Sequence, residues 1–345
     1  MQEFEIGNRK VGLNYKPLVI AEIGINHGGS LIDAIKIADS AIRSGAEVIK
    51  HQTHIPDDEM SIEATKVKPG NADVSIYEVI ANASLSESEE FELKNFVESK
   101  GVIFLSTPFS REAVKRIEKM NLPAIKIGSG ECNNLPLIKL IVELRKPIIL
   151  STGMNSISSI KPAVDLIRNS NLPFALMHCT NLYPTPEKLI RLQAIRELEK
   201  AFPDAVLGLS DHSTSIFPCI AAVALGASIL ERHFTDTRER LGPDIPCSMT
   251  PFELQDLISG SEQVWLANQG DKRPADEEMV TMAFAFASVV ADKDLYPGDI
   301  LTEDNLWVRR PSGGDYSAND LFGLYGKTVK YFVPKNTQLK RIDLI

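Results

Sequence analysis

Short runs of β-branched and other apolar residues recur along the chain, each followed by a longer stretch in which apolar positions return every three or four residues. The runs are Leu18–Ile23, Ala46–Lys50, Val102–Ser106, Ala124–Ile127, Pro147–Ser151, Phe174–His178, Ala205–Leu209 and Ser228–His233. Between them, 31–44 carries Ile32, Ile35, Ala38 and Ile42, and 157–168 carries Ile160, Val164 and Ile167, the spacing of amphipathic helices. Continuously apolar strands are buried on both faces, as in a parallel sheet covered by helices. Eight strand–helix units in about 265 residues predict a closed (β/α)8 barrel, an α/β TIM barrel, rather than an open doubly wound sheet. No strand opens a GxGxxG turn, so the dinucleotide-binding form of α/β lacks support.

The pattern changes near residue 268. Asn268-Gln-Gly-Asp-Lys-Arg-Pro-Ala-Asp-Glu-Glu is polar and helix-breaking, so the chain divides into a barrel at 1–268, a linker at 269–284 and a small β-rich module at 285–345. Two similar segments, Tyr296-Pro-Gly-Asp-Ile-Leu-Thr-Glu-Asp-Asn-Leu and Val333-Pro-Lys-Asn-Thr-Gln-Leu-Lys-Arg-Ile-Asp-Leu, mark the module as pseudo-duplicated. A module this small is expected to dock onto a barrel or a second subunit.

Composition narrows the function classes. The 345 residues are 43% hydrophobic and 24% charged, ordinary for a soluble globular protein. A net charge of −9 argues against nucleic-acid and anionic-membrane partners, though a few convergent Lys and Arg side chains can still bind a small anion. Cys132, Cys179, Cys219 and Cys247 are widely spaced, with no CxxC pair, which predicts reduced thiols rather than a disulfide framework or structural zinc. With neither a basic, apolar leader nor 18 consecutive apolar residues, the expected location is the cytoplasm.

In such a barrel the functional side chains sit at the C-terminal strand ends, where sequence-distant positions become neighbours. Here those ends are polar throughout: Glu22, Asn26 and His27; Lys50, His51 and Gln52; Ser106 and Thr107; Lys126, Ser129 and Glu131; Ser151 and Thr152; His178, Thr180, Asn181 and Tyr183; Ser210, Asp211 and His212; Glu231, His233 and Asp236. His212 and His233, 21 residues apart on adjacent strand ends, can share one divalent ion and leave positions open for substrate. His178 and His27 are expected to be packing or supporting groups. Lys50 and Lys126, among Thr107, Ser129, Ser151 and Ser210, form a cradle for a phosphate and a carboxylate. A Schiff-base aldolase is the rival use of Lys126, and a non-catalytic sugar- or anion-binding barrel the rival of another class.

The strand ends, read as motifs, closely resemble the sialic acid synthases. The matching stretches are Ala-Glu-Ile-Gly-Ile-Asn-His (21–27), Val-Ile-Lys-His-Gln-Thr-His (48–54), Pro-Gly-Asn-Ala-Asp (69–73), Ser-Thr-Pro-Phe-Ser (106–110), Lys-Ile-Gly-Ser-Gly-Glu-Cys-Asn-Asn (126–134), Leu-Ser-Thr-Gly-Met (150–154), His-Cys-Thr-Asn-Leu-Tyr-Pro-Thr (178–185), Gly-Leu-Ser-Asp-His (208–212) and Glu-Arg-His-Phe-Thr-Asp (231–236). The tail, with Val-Arg-Arg-Pro-Ser-Gly-Gly (308–314), is similar to that family's C-terminal antifreeze-like (SAF) domain.

The resemblance implies an enzyme that condenses phosphoenolpyruvate with N-acetylmannosamine and water to give N-acetylneuraminate and phosphate. It makes His212 and His233 the Mn2+ (or Mg2+) ligands and Glu22 the catalytic carboxylate. It gives phosphoenolpyruvate to Lys50, Thr107, Lys126, Ser129, Ser151, Asn181 and Ser210, and the amino sugar to Gln52, Asn71, Glu131, Tyr183 and Asp244. It further implies a homodimer in which Arg310 of one subunit's SAF domain reaches the other's site, with the adjacent Arg309 as the competing arginine. Legionaminate or pseudaminate synthesis from a bis-acetamido sugar is the near alternative.

Overall fold

The computed structural model describes residues 3–70 and 72–345, in two compact units, Met1–Gln269 and Gly270–Ile345. The first unit opens with an antiparallel hairpin, β1 (Glu3–Ile6) and β2 (Arg9–Gly12). Eight parallel strands follow: β3 (Leu18–Gly24), β4 (Val48–Thr53), β5 (Ile103–Pro108), β6 (Ile125–Ile127), β7 (Ile148–Ser151), β8 (Phe174–Cys179), β9 (Val206–Asp211) and β10 (Ile229–His233). Their order is β5-β4-β3-β10-β9-β8-β7-β6, so the first and last barrel strands pair. Between β5 and β6 the strands touch without a ladder, leaving the barrel nearly closed. The eight predicted strands are all present.

Helices α1 (Leu31–Arg43), α2 (Pro56–Glu59), α3 (Ile76–Ala83), α4 (Glu87–Ser99), α5 (Arg111–Met120), α6 (Leu135–Glu143), α7 (Ile157–Asn169), α8 (Ala194–Ala201), α9 (Phe217–Ala224) and α10 (Pro251–Ala267) lie between and after the strands. Several begin at sequence-legible caps. Ser75 with Glu78, Ser86 with Glu89 and Thr250 with Glu253 each satisfy two otherwise unpaired N–H groups reciprocally. None of the described helices is long and apolar enough to cross a membrane.

Strand alternation splits the apolar residues into two cores. Val19, Ala21, Ile23 and Ile49 join the helix layer, whereas Leu18, Ile20, Val48, Leu105, Ala124, Ile149, Met177, Val206 and Ile229 form a separate cluster filling the barrel. The β1–β2 hairpin, which hydrophobic runs alone did not reveal, adds Phe4, Ile6 and Val11 to that inner cluster. Its signal is a short alternation, with Glu3 and Glu5 exposed and Phe4 and Ile6 buried. Each of these apolar side chains contributes roughly 1.5–3 kcal/mol on burial.

The second unit holds α11 (Met279–Ala285), β11 (Ser288–Ala291), β12 (Leu306–Arg309) and α12 (Leu321–Leu324), with β11 and β12 antiparallel. Part of the stretch read as a linker is thus helical, because Met-Val-Thr-Met-Ala-Phe-Ala contains no breaker. The two similar segments face each other through the bridge Leu295↔Val333, and Leu301 and Leu339 occupy matching buried positions. Their equivalence is offset by one residue from a proline-on-proline alignment. Gly298 and Asn336, both left-handed (φ 95° and 63°), hold the same turn position, and those two residue types tolerate that backbone best.

Candidate active site

The inner apolar layer places the site. Two residues beyond each inward-facing position the side chain faces the lumen again, one layer higher. Ile20, Val48, Leu105, Ala124, Ile149, Met177, Gly208 and Ile229 therefore lead to Glu22, Lys50, Thr107, Lys126, Ser151, Cys179, Ser210 and Glu231, all of which line one chamber of about 110 Å³. A further step reaches Gln52, Phe109, Gly128, Asn181, His212 and His233, which line it too. Eight strands thus deliver a polar ring and, above it, the two histidines.

Four charged groups dominate the ring. Lys50 pairs with Glu22 and lies 3.7 Å from Glu231, and Lys126 Nζ donates to Glu231 Oε1 at 2.9 Å, all with side chains 1–6% exposed. Burial pushes the Glu22 carboxyl above its ordinary pKa even though Lys50 pulls the other way. Burial opposes the Glu231 charge as well, but Lys126 and Lys50 outweigh it and hold that carboxyl below its ordinary value. Burial lowers Lys126, while for Lys50 the two carboxylates overcome burial and raise it. Lys50 Nζ also donates to Thr107 Oγ1 at 3.2 Å, Gly153 N–H to Ser129 Oγ at 3.0 Å and Ser210 Oγ to Glu231 at 3.4 Å. Ser151 Oγ and Glu231 Oε2 are buried without a hydrogen-bond partner, which marks the chamber as shaped for a polar guest.

A larger cavity of about 730 Å³ adjoins the chamber, and Gln52, Phe109, Asn181, Tyr183 and His233 line both. Its walls are apolar at Ile25, Ile76, Val79 and Ile80 and polar at Gln52, His54, Glu59 and Asp244, and none of its described lining residues is Lys or Arg. Asp244 is nearly fully buried, which lifts its carboxyl to about 7, with Glu22 adding to the effect. Tyr183 stacks on His212 at 4.2 Å and meets His233 edge-on at 5.9 Å.

His212 and His233 have ring centroids 5.3 Å apart. His212 Nδ1 donates to the Thr180 carbonyl at 3.1 Å, leaving Nε2 with a lone pair, and His233 Nδ1 is buried without a hydrogen-bond partner, 3.7 Å from Asp244. Burial holds both imidazoles neutral, His212 at about 4 and His233 well below its ordinary value. Neutral imidazoles with free ring nitrogens, beside the carboxylate of Asp244, are a donor set that a divalent metal ion can use. Among the described residues no group of three His, Cys, Asp or Glu side chains forms a complete cage, so water or substrate would supply the other donors.

Not every expected residue reaches these walls. Glu131 sits on the turn Ser129–Asn133, half-buried and held by Asn134 Nδ2 at 2.6 Å, and lines neither cavity. Asn71 lies outside the described residues. In the second unit Arg309 is bound to Asp292, whereas Arg310 is exposed and bound by no described side chain. Alternation also turns several of the strand-end residues collected from sequence away from the lumen. His51 stacks with His27 and Phe104, Ser106 bonds Thr53 Oγ1 and the His51 carbonyl, and Asp211 pairs with Arg232, which also bonds Ser213 and Ser215. His178 Nε2 is tied to the Ile190 carbonyl at 2.6 Å, a packing role as expected.

Sequence reasoning assigned no role to four contributors. Glu231 was visible at its strand end, but its partnership with both lysines was not. Cys179 required the alternation to be followed through β8. Gly153 is needed because a Cβ there would fall 1.8 Å from Asn181 Oδ1 and 2.9 Å from Ser129 Oγ. His54, at the end of Val-Ile-Lys-His-Gln-Thr-His, contacts Gln52 and Glu59.

A model of the NeuB family matches residues 37–273, and one of the SAF domain matches 286–344. The chain is 36% identical to N,N'-diacetyllegionaminic acid synthase of Campylobacter jejuni over 87% of this chain and 92% of that protein. It is 32% identical to N-acetylneuraminate-9-phosphate synthase of Homo sapiens over 93% and 90% of the two chains. The crystal structure of N-acetylneuraminic acid synthetase from Leptospira borgpetersenii in complex with citrate superposes with a TM-score of 0.75 at 30% identity, covering 81% of this chain and 95% of that one.

Proposed function

The chain belongs to the NeuB family, and from that premise we propose that it condenses phosphoenolpyruvate with unphosphorylated N-acetylmannosamine and water, giving N-acetylneuraminate and phosphate. One observation carries the reading: a small lysine-bearing chamber opens into a larger cavity, with His233 lining both and His212 beside it. The inner chamber suits a compact polyanion and the outer cavity an open-chain amino sugar. The absence of Lys and Arg from the described outer lining favours a sugar without phosphate.

Lys50 and Lys126, with Thr107, Ser129, Ser151, Asn181 and Ser210, hold the phosphate and carboxylate. Gln52, Tyr183 and Asp244 face the sugar. His212 and His233 would hold Mn2+ or Mg2+, which when bound supplies Lewis acidity to the sugar's aldehyde oxygen. C3 of phosphoenolpyruvate attacks the aldehyde carbon, forming the C–C bond, and the aldehyde oxygen takes up a proton. Positive charge develops at C2, and Glu22 stabilises it from the ring below. Water adds at C2 and gives up a proton; the C2–O bond to phosphate then breaks as the new C2 hydroxyl loses its proton to the leaving phosphate and becomes the keto carbonyl, the phosphate's negative charge met by the two lysines. A partner subunit's Arg310 would complete the sugar side, since no described side chain binds Arg310 whereas Asp292 engages Arg309.

A second reading has its own support. The wall of Ile25, Ile76, Val79 and Ile80 would pack against a methyl better than against a hydroxymethyl group, as a 6-deoxy bis-acetamido sugar requires. Incubation with phosphoenolpyruvate, Mn2+ and a panel of amino sugars, read by phosphate release and product mass, separates the two. N-Acetylneuraminate from N-acetylmannosamine is the expected product. Turnover of the bis-acetamido sugar alone would establish the second reading, and no nine-carbon keto acid from any sugar would end both.

A further inference from the structure

Gln52 and His54 leave β4 two residues apart, and the single turn of α2 begins at Pro56. The three acids of α2 each have a separate anchor. Asp57 accepts from the Tyr77 hydroxyl at 2.6 Å, Asp58 accepts the Glu112 N–H at 2.7 Å, and Glu59 accepts from His54 Nδ1 at 2.7 Å. The first two fix the turn against α3 and α5, so Glu59 is presented to His54 from a pinned backbone. The His54 ring is also clamped by stacking on Phe109, with centroids 4.3 Å apart and planes 13° from parallel. Its Nε2 lies 3.0 Å from Gln52 Oε1. All three members, Glu59, His54 and Gln52, line the outer cavity.

We propose that Glu59 and His54 are positioning residues that hold the Gln52 amide in one orientation toward the amino sugar, making the Glu59–His54–Gln52 relay a determinant of sugar selectivity. The inference rests on the reading of the outer cavity as the sugar site. An acceptor-only carboxylate at Nδ1 and the Phe109 stack fix the ring, and the ring in turn fixes the amide through its Nε2 edge, 3.0 Å from Gln52 Oε1. A glutamine already held loses little rotamer freedom when the sugar binds, whereas a free one must be ordered then.

The test is steady-state kinetics with N-acetylmannosamine and phosphoenolpyruvate varied separately, with melting curves verifying that each variant folds. Glu59→Ala raises the sugar KM about tenfold and changes the phosphoenolpyruvate KM far less. Glu59→Gln, whose amide oxygen still accepts from Nδ1, recovers most of the loss. Because the relay acts through one amide, Glu59→Ala combined with Gln52→Ala is no worse than Gln52→Ala alone. An active wild type whose single losses multiply in the double variant, or a Glu59→Ala with unchanged sugar KM, overturns the relay alone. A wild type that turns over no amino sugar overturns relay and sugar site together.

Discussion

Replacing Lys126 by Met tests whether the buried charges of the ring are as interdependent as their geometry implies. Lys126 and Glu231 are 2.9 Å apart with side chains 3% and 6% exposed. At an effective dielectric of about 20 their attraction is roughly 6 kcal/mol, most of it offset by the cost of taking both charges out of water. Removing one partner forfeits the attraction but keeps the other's desolvation, so Lys126→Met should cost about 3–5 kcal/mol. For a barrel of this size that lowers the melting temperature by about 6–10 °C. Replacing both partners, as Lys126→Met with Glu231→Leu, should recover most of the stability while leaving the protein inactive.

The pH dependence of that penalty has a definite sign. Glu22 already has a raised folded-state pKa, and a raised carboxyl adds stability at low pH that is lost as pH rises through its folded value. Once Lys126 is gone, proton uptake at Glu22 can offset the excess negative charge, so the penalty is smaller near pH 5.5 than near pH 8. Scanning calorimetry of the wild type, the single and the double variant at both pH values decides it. A single variant melting within about 1 °C of wild type, or a double variant no more stable than the single, would show that the two charges are not interdependent.

Three further outcomes are expected. His212→Ala should stay folded with a melting temperature lowered by no more than a few degrees, from its lost Thr180 bond and Tyr183 stack, yet abolish turnover and reduce Mn2+ binding measured by calorimetry, and chelation should inactivate the wild type until Mn2+ is restored. Gly153→Ala should raise the phosphoenolpyruvate KM at least tenfold, because the new Cβ displaces Asn181 and Ser129; an unchanged KM would show that the cradle adapts. Glu90, buried behind Thr53 and Arg116, has its carboxyl lifted to about 7 by burial. Its protonated form therefore stabilises the fold fully below about pH 4.5 and progressively less as pH rises through about 7. Glu90→Gln should flatten that part of the stability profile, whose full span is about 3 kcal/mol, and melting curves across pH 5–8 measure it.

Hydrophobic periodicity alone was enough for the barrel, because a strand buried on both faces must be continuously apolar and a covering helix must carry an apolar stripe. Polar residues at or just after the end of each strand run also pointed to that rim as the candidate site, and to His212, His233, Lys50 and Lys126 as candidates. Periodicity did not reveal the β1–β2 hairpin, whose two strands of four residues are too short to stand out from loops. Nor did it separate inward from outward at the strand ends: His51, Ser106 and Asp211 looked equivalent to Lys50, Thr107 and Ser210 until register assigned them opposite faces. Only the curling of the sheet into a barrel could bring Lys126 and Glu231, 105 positions apart, within hydrogen-bonding distance. Composition and spacing are properties of the chain taken one neighbourhood at a time. Pairing of buried charges, the division of the interior into two chambers and the clamping of Gln52 depend on which distant segments share one small, water-poor volume, and that is decided by packing.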